Sequence, residues 1–324
     1  MNFTRSLVIC LFVVFSCCKN TPKEEVTEKA EALSQAIKSK PKVSFTFDDG
    51  ITRDVAGFKF EKWNEMILSH LDTAGIKAVF FVTGRNKLND KGQFLLNSWD
   101  SRGHSIANHS FTHPNFNGQE NTALMFEDEL LKTDAVISGL ENYIKLFRFP
   151  YLKEGQTLAK VDSIRNILAA HNYTNGYVTI DASDWYVSQR LVNRINEVGL
   201  EATEVDKFRD FYIQHLLEKA DYYEGLSYEM HDRHIDHTLL LHHNLAAALF
   251  LGDLIKAFED AGWEIMDADL AFQDEVFKHA PSSEYAGEGL IYALAKQSES
   301  YRKLLRYPAE DSRYEKTRMD SLGL

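Results

Sequence analysis

Two adjacent carboxylates, Asp48 and Asp49, end an apolar run at 43–47 whose alternation predicts a half-buried β-strand. Neighbouring side chains at the end of a strand diverge, so the two carboxylates would do different jobs. One of them can bind a metal ion while the other handles protons. Gly50 lets the backbone turn sharply just beyond them. The alternative is an Asx-type turn, which is the usual role of Asp-Gly at the end of a strand.

Two histidines four residues apart, His109 and His113, follow another predicted strand. A helical turn with this spacing would point both imidazoles the same way, which would supply two metal ligands. Pro114 would stiffen the chain just beyond them. Arg148, near the end of a further strand, could orient a carboxylate through a forked hydrogen bond. The alternative for Arg148 is a surface salt bridge.

Ionisable groups also follow two later strands. Asp181 and Asp184 come after one, and His242 and His243 end the next. The carboxyl ends of parallel strands meet at one edge of a sheet or barrel, so all these groups are expected to converge. Coordinating or ionisable groups at five strand ends carry more weight together than any one of them alone.

Apolar segments and amphipathic stretches alternate from residue 43 onward. The predicted strands lie at 43–47, 78–82, 105–108, 145–149, 177–180, 238–241 and 263–266. The predicted helices include 60–74, 94–102 and 245–261, which are stopped by Gly75, Gly103 and Gly262. This alternation predicts parallel strands with covering helices, for which a doubly wound sheet and a barrel are the two solutions.

Composition and charge narrow the class of protein. The 324 residues, 44% of them hydrophobic, can bury a sizeable core in one large domain or in one domain with an appendage. A formal charge of -12 argues against a nucleic-acid partner, which needs a basic face to engage phosphates. An uncharged or cationic substrate fits better. The alternative is that the acidity only aids solubility.

The first residues predict export and a lipid anchor. Arg5 precedes an apolar run of signal-peptide length that is too short to span a bilayer. The run resembles a bacterial lipoprotein signal, in which residues 1–16 are removed and Cys17 is acylated as the first mature residue. Ordinary secretion is the alternative. We expect an extracytoplasmic location, in the periplasm or at the outer surface, with the lipid as the only membrane contact.

The cysteines and the polar segment behind the anchor agree with that arrangement. All three cysteines lie within the first eighteen residues, so the folded part is expected to have no disulfide. Residues 17–40 are polar and charged, which is typical of a flexible tether.

Five motifs, in order, resemble those of the polysaccharide deacetylase family, the NodB-homology domains of carbohydrate esterase family 4. They are TFDDG (46–50), HSFTHP (109–114), RFPY (148–151), DASDW (181–185) and LLH (240–242). The resemblance runs from about Val43 to Ala271. It implies a distorted (β/α) barrel with seven or eight strands. It also implies one divalent metal ion, with zinc expected and cobalt or nickel as alternatives.

The resemblance implies roles for the first three motifs. Asp49, His109 and His113 would be the metal ligands, and a carboxylate with two imidazoles leaves positions open for water and substrate. Asp48 would be the general base that takes a proton from the attacking water. Arg148 would hold that base ionised and oriented.

The later motifs would complete the site. The backbone N–H of Tyr151 would share the developing oxyanion with the metal. His242 would protonate the departing amine, and Asp184 would fix the tautomer of its ring. Trp185 and Leu240 resemble the family's apolar wall around the acetyl methyl group. The alternative for Trp185 is ordinary core packing.

The chain departs from the family pattern beside the last motif. Many relatives have Asp after its histidine, whereas this chain has His243, so the proton relay could use His242 or His243. Residues 186–236, a predicted helical insert, exceed the family's usual link and are expected to cap one wall of the cleft. The histidines near the end of the insert could form a second metal site, although packing is favoured: His231, His234 and His237, with His243 just beyond.

The deacetylase domain is therefore expected at 41–272, and residues 273–324 predict a polar helical C-terminal extension without identifiable chemistry. The expected function is metal-dependent removal of N-acetyl groups from a glycan. One rival is an O-acetyl esterase acting on a polysaccharide such as acetyl-xylan. Another is an inactive glycan-binding surface lipoprotein, although no expected metal ligand is missing.

Two other hydrolytic or oxidative classes are disfavoured. A Ser-His-Asp hydrolase is disfavoured because the chain has no Gly-x-Ser-x-Gly elbow. A mononuclear iron oxygenase could use two histidines and one carboxylate, but it would leave Asp48 and Arg148 without a role.

Overall fold

Seven parallel strands form one curled sheet in a computed structural model of the chain, which describes residues 39–282, 288–306 and 312–324. The sheet order is β5-β4-β3-β2-β1-β6, and β7 pairs with the start of β1. The strands are β1 (Lys42–Asp49), β2 (Val79–Val82), β3 (Ser105–Asn108), β4 (Tyr143–Phe147), β5 (Thr174–Asn175), β6 (Asp236–His242) and β7 (Glu264–Ile265).

Helices follow most of these strands and cover the outside of the sheet. They are α1 (Phe60–Ala74), α2 (Asp90–Asp100), α3 (Ala123–Ile137), α4 (Leu158–Ala170), α5 (Asp184–Val198), α6 (Val205–His231), α7 (Leu245–Asp260), α8 (Ala268–Ala271), α9 (Leu290–Lys296), α10 (Glu299–Arg302) and α11 (Ser312–Leu322). Short 3₁₀ turns occupy Arg85–Lys87, Pro150–Leu152 and Glu275–Lys278.

The segment after β5 closes the sheet into a barrel. On one side, the backbone N–H of Gly176 donates to the carbonyl of Phe147 in β4. On the other side, Ile180 donates to the carbonyl of Thr238 in β6, and Leu240 donates back to Ile180. The predicted distorted (β/α) barrel is confirmed. The strand expected at 177–180 is reduced to an isolated bridge between Ile180 and Leu239, because this segment crosses from one edge of the sheet to the other.

Element boundaries follow the local signals closely where a glycine ends a helix. Helix α1 spans the predicted 60–74, and Gly75 ends it in the left-handed conformation. Helix α2 begins four residues earlier than predicted, because the side chain of Asn89 accepts a hydrogen bond from Gly92 and caps the helix there. Strand β4 lies two residues earlier than the predicted 145–149.

The register of the strands aligns the predicted motifs. Asp49 lies opposite Val82, Val82 opposite Asn108, and Asn108 opposite Phe147. His109 and Arg148 therefore leave the sheet at the same level as the two carboxylates. On the other side of β1, Asp48 lies opposite His242.

The largest apolar core lies between one face of the sheet and the helices α1, α5, α6 and α7. Phe45 and Phe47 of β1 are buried in it. The predicted insert forms most of α5 together with α6, and α6 packs against α5, α7 and α9. The C-terminal extension also enters this core. Its residues in this core are Val276, Leu290, Ile291, Ala295, Met319 and Leu324.

Residues 1–38 lie outside the described part of the chain. The predicted export signal, Cys17 and nearly all of the tether fall there. Among the described helices, none combines the length and the apolar character that crossing a membrane requires.

Candidate active site

A cleft of about 550 Å³ opens at the carboxyl ends of the strands. Residues from several strand ends line it, together with one residue of the C-terminal extension. The lining residues are Asp48, Asp49, His109, His113, Asn115, Tyr151, Leu152, Lys153, Asp181, Trp185, Leu240, His242 and Glu288.

The turn after β1 separates the two adjacent carboxylates. Asp49 and Gly50 both have positive φ, 77° and 79°, which redirects the backbone at once. Behind the turn, the buried ammonium group of Lys87 donates to the carbonyls of Asp49, Gly50 and Thr83 at 2.9–3.0 Å. A Cβ atom on residue 50 would lie 2.7 Å from this nitrogen. The turn therefore requires glycine, both for its conformation and for its packing.

Asp48 points to a buried guanidinium. Arg148 Nη1 donates to Asp48 Oδ1 over 2.6 Å and to Thr46 Oγ1 over 2.9 Å. Arg148 Nε donates to the carbonyl of Gly176 over 2.8 Å. The guanidinium also lies 3.8 Å from the centre of the Phe81 ring. This environment is buried rather than a surface salt bridge, and it holds the Asp48 carboxylate in one orientation.

Asp49 points the other way, toward two imidazoles. Its Oδ1 lies 3.4 Å from Nε2 of His113 and 3.8 Å from Nε2 of His109. Burial opposes ionisation of Asp49, but the charges of His242, His109 and His113 outweigh it and lower the pKa of this carboxyl.

The three side chains fit a divalent cation. One nitrogen or oxygen atom from each of Asp49, His109 and His113 lies within 4.8 Å of the other two. The Nδ1 atom of His109 donates to the carbonyl of Arg148 over 2.8 Å, which leaves the Nε2 lone pair for the cleft, 3.6 Å from Asp48 Oδ2 and 3.8 Å from Asp49 Oδ1. Burial, followed by the charge of His109, lowers the pKa of His113 to about 4. The His113 imidazole can therefore present a neutral nitrogen at pH 7, as zinc ligands do.

The loop that carries the two histidines is not the helical turn that their spacing predicted. Residues 109–113 have no helical structure, and Ser110 and His113 have positive φ, 67° and 61°. The hydroxyl of Ser110 accepts a hydrogen bond from the His113 N–H. The folded-back loop brings the two rings to a centroid separation of 4.9 Å. Strained backbone, held by side-chain contacts, replaces helical periodicity here.

His242 pairs with a buried carboxylate. Asp184 Oδ1 lies 2.6 Å from His242 Nδ1, and Asp184 Oδ2 accepts hydrogen bonds from the His242 backbone N–H and from Asn244 Nδ2. Burial lowers the pKa of His242, but the charge and the hydrogen bond of Asp184 outweigh it and raise the pKa to about 10. The imidazole is therefore cationic at pH 7, with Nε2 left for the cleft.

His243 faces away from the cleft and into the core, so of the two adjacent histidines only His242 can serve as the proton relay. Its Nε2 donates to Asn64 Oδ1 over 3.0 Å, and its ring lies 4.3 Å from that of Trp63. Burial lowers the pKa of His243 well below its ordinary value. His243 is a neutral core residue, and a relay that uses it is excluded by its position.

The predicted substrate-contacting residues lie together on the cleft wall. Tyr151 has a positive φ of 58°, and its ring lies 4.6 Å from that of His113. Trp185, the second residue of α5, and Leu240 of β6 line the same cleft. Trp185 is only partly buried, which differs from ordinary core packing.

The first helix of the predicted insert lies beside the site, because Ser188, Gln189, Val192 and Asn193 of α5 line a recess of about 340 Å³ that shares Asp49, Trp185 and His242 with the cleft. The second helix of the insert, α6, packs in the core. Of the histidines near its end, His234 and His237 share hydrogen bonds to the two oxygens of Glu224. Among the described residues, only Asp49, His109 and His113 form a group suited to a metal ion.

Sequence reasoning assigned no role to three residues at the site. Lys87 braces the turn after β1 from within a polar stretch of sequence. Burial raises the pKa of Asp181 to about 7 at the cleft wall. Glu288 reaches the same wall from the C-terminal extension, which was expected to carry no chemistry. Of these three residues, only Asp181 belongs to one of the five motifs.

The chain is similar to known deacetylases in its sequence. Residues 19–176 match the family model described as Polysaccharide deacetylase. A peptidoglycan-N-acetylglucosamine deacetylase of Bacillus cereus is 32% identical over 136 residues, which cover 40% of this chain and 43% of that protein. The alignment thus spans less than half the length of this curated relative.

Solved structures are similar in fold. A polysaccharide deacetylase from Bacillus cereus matches with a TM-score of 0.50 and 19% identity, over 70% of this chain and 92% of that one. A pseudoenzyme of carbohydrate esterase family 4 from Bacillus anthracis matches with a TM-score of 0.50 and 18% identity, over 72% of this chain and 66% of that one. Such identities support the shared fold alone, so any activity must be argued from the side chains.

Proposed function

We propose that the chain is a member of the polysaccharide deacetylase family, whose model matches residues 19–176, and that it hydrolyses N-acetyl groups of a glycan containing N-acetylglucosamine. Water and the acetamide would yield acetate and a free sugar amine. The observation that carries the proposal is the division between Asp48, which faces Arg148, and Asp49, which faces two imidazoles. A pair of carboxylates divided in this way can separate proton transfer from cation binding.

Asp49, His109 and His113 would hold one divalent cation, with zinc expected because a carboxylate and two imidazoles suit it, and with cobalt and nickel as alternatives. Bound there, the ion would supply an acidified water molecule and polarise the acyl carbonyl.

Asp48 would accept the proton of the attacking water. The hydrogen bond from Arg148 to Asp48 Oδ1 fixes the orientation of the carboxylate, and it leaves Oδ2 for the cleft. The backbone N–H of Tyr151 would donate to the oxygen on which negative charge develops.

His242 would protonate the departing amine. A general acid must carry its proton at working pH, and the raised pKa of His242, which results from Asp184 outweighing the effect of burial, meets that condition. Asp184 at Nδ1 directs Nε2 to the cleft. Trp185 and Leu240 would contact the acetyl methyl group and limit the size of the acyl group.

The first substrate to test is peptidoglycan, because the relative from Bacillus cereus is named for it. Purified protein would be incubated with peptidoglycan, N-acetylated chitooligosaccharides and acetyl-xylan, with chelator and after reconstitution with zinc. We expect acetate from at least one N-acetylated glycan, lost with chelator and restored by zinc. Acetate from acetyl-xylan alone would favour the O-acetyl esterase, and binding without any acetate would favour the inactive glycan-binding protein.

We also propose export and anchoring through an acylated Cys17, with the site held outside the cytoplasm. The support is the apolar run that precedes Cys17, its resemblance to a lipoprotein signal and the polar segment that follows. Expressed in a bacterium with labelled palmitate, the chain should take up label and partition with detergent, and Cys17→Ser should do neither. Equal labelling of the two proteins would contradict the anchor.

A further inference from the structure

Ser183 stands at the start of α5 without capping that helix. Serine at this position usually accepts a hydrogen bond from the first turn, but the Ser183 side chain makes no such bond. Its Oγ instead donates to Glu315 Oε2 over 3.3 Å, and its backbone N–H donates to His215 Nε2 over 3.2 Å. Two residues far away in the chain thus hold the residue just before Asp184.

Both partners are buried. His215 of α6 is 0% exposed and Glu315 of α11 is 1% exposed, so neither contact is screened by solvent. The Nζ atom of Lys219 lies 3.8 Å from Glu315 Oε1 and offsets the buried negative charge. A buried carboxylate with a cation beside it is costly to disturb.

The proton on His215 is assigned by its partners. Because Nε2 accepts from the Ser183 N–H, Nδ1 carries the proton of the neutral ring, and it lies 3.8 Å from Glu315 Oε1. Burial, followed by the charges of Lys219 and Arg318, lowers the pKa of His215 to about 3. The ring therefore stays neutral, and it remains an acceptor for the Ser183 backbone.

Helix α11 and the residues after it also make hydrogen bonds with α5 further along that helix. Arg190 of α5 donates to Asp320 Oδ1 over 2.7 Å and also to the backbone carbonyl of Leu324. Met319, between these contacts and Glu315, is fully buried in the core. The C-terminal helix is thus fastened along α5, and its Glu315 end lies at the start of α5.

We propose that Glu315 and His215 are positioning residues for the Asp184–His242 pair. Ser183 precedes Asp184, and Asp184 contacts His242 through both the ring and the backbone, so holding Ser183 sets where the proton-donating ring lies. The proposal rests on the proposed function, in which His242 protonates an amine. It gives the C-terminal extension a part in supporting the site.

The test compares two substrates of one enzyme. An N-acetylated chitooligosaccharide has a poor leaving group that needs a proton, whereas 4-nitrophenyl acetate releases a stable phenolate that does not. Glu315→Ala should lower kcat for the oligosaccharide about tenfold with KM within about twofold, and should leave ester hydrolysis within about twofold. Glu315→Gln, which keeps an oxygen for the Ser183 hydroxyl, should retain at least about half of the wild-type kcat.

Asp320→Ala is the matched control on the same helix. Asp320 pairs with Arg190 of α5 at the surface over 2.7 Å and contacts neither Ser183 nor His215, so its loss loosens α11 on α5 without removing a member of the network. Both activities should stay at the wild-type level. Equal losses on the two substrates in Glu315→Ala, or the same loss in Asp320→Ala, would overturn the proposal, because either would indicate a general loss of structure.

A readout without catalysis separates this proposal from the proposed function. The ring proton resonance of His242, assigned by its disappearance in His242→Gln, can be titrated by NMR in an enzyme that hydrolyses nothing. In Glu315→Ala its midpoint should fall by about one pH unit, because Asp184 would hold the imidazolium less well. An unchanged midpoint would overturn the positioning role even if the wild type released acetate. If the midpoint shifts in Glu315→Ala but the wild type releases no acetate, the positioning role stands and the deacetylase is rejected.

Discussion

Arg148 donates to Asp48 Oδ1 over 2.6 Å, and both side chains are almost fully buried. Removing one partner of such a pair leaves an uncompensated charge, which is more harmful than removing both. The losses of unfolding free energy caused by substituting Arg148 and by substituting Asp48 should therefore not be additive.

We expect Arg148→Met to lower the free energy of unfolding by about 3–5 kcal/mol, since Asp48 would be left buried and unpaired. The double variant Arg148→Met/Asp48→Asn should recover more than about 1 kcal/mol of that loss, because the remaining amide is uncharged. Urea unfolding of the four proteins in this cycle measures both effects. Additive losses would show that the two side chains do not stabilise each other.

The contact between His242 and Asp184 predicts a substrate-dependent defect. His242→Gln should lower kcat for an N-acetylated oligosaccharide by about a hundredfold or more, because the amine must leave with a proton. It should lower hydrolysis of 4-nitrophenyl acetate far less, since that leaving group needs no proton. His243→Gln is the neighbouring control and should change stability rather than this ratio, as its ring lies in the core. Similar losses on both substrates in His242→Gln would contradict the role of a general acid.

The packing around the turn after β1 predicts that replacing glycine by alanine destabilises the protein by different amounts at two glycines with similar φ. Gly50 and Gly57 have φ of 79° and 84°, but a Cβ at residue 57 would meet nothing within 4 Å, whereas one at residue 50 would meet Lys87. Gly57→Ala should destabilise by about 1 kcal/mol from backbone strain alone. Gly50→Ala should cost roughly 1–2 kcal/mol more, because Lys87 is held by three carbonyls and cannot move freely. Equal costs by thermal or urea unfolding would show that the lysine yields.

Buried neutral histidines predict acid sensitivity. Burial, with the charges of Lys77 and Arg102, lowers the pKa of His104 to about 3, and its Nδ1 accepts from the Ala78 N–H. Because the folded pKa lies below the unfolded value near 6.5, the unfolded chain binds more protons between these two values. The stability from this group is therefore present above about pH 6.5 and is lost as the pH falls toward 3.

The matched variant is His104→Asn, whose side-chain oxygen can still accept from Ala78 but does not titrate. Below pH 6.5 its free energy of unfolding should fall less steeply than that of the wild type, by up to about 1.4 kcal/mol per pH unit. The free energy of unfolding of both proteins would be measured with urea at pH 7.5, 6 and 5. If it falls equally with pH in the wild type and in His104→Asn, His104 does not contribute to the acid sensitivity.

The convergence at the strand ends was predictable from the sequence, because register is a property of the backbone. Once alternating segments predict parallel strands, groups that follow those strands, such as Asp49 and His109, must meet at one edge. The family resemblance assigned the proton donor to His242, but the residue pattern alone could not exclude His243. Both histidines follow the same strand, and only the pleat and the packing around Trp63 decide which one faces the cleft.

Other features depend on contacts that leave no local pattern. The loop that brings His109 to His113 relies on positive φ at Ser110, which is uncommon for serine and is imposed by its surroundings. Glu315 lies in a polar segment that sequence alone would place at the surface, yet its contact with Ser183 buries it. Long-range burial of a charged side chain cannot be inferred from hydrophobic periodicity.

The division of labour between the adjacent carboxylates is tested most directly by metal content. After reconstitution with zinc and removal of excess, mass spectrometry would count the ions bound per chain in the wild type, Asp48→Asn and Asp49→Asn. We predict about one ion in the wild type and in Asp48→Asn, and far less in Asp49→Asn, because only Asp49 faces both imidazoles. An equal ion content in the two variants, whether kept or lost, would contradict the account.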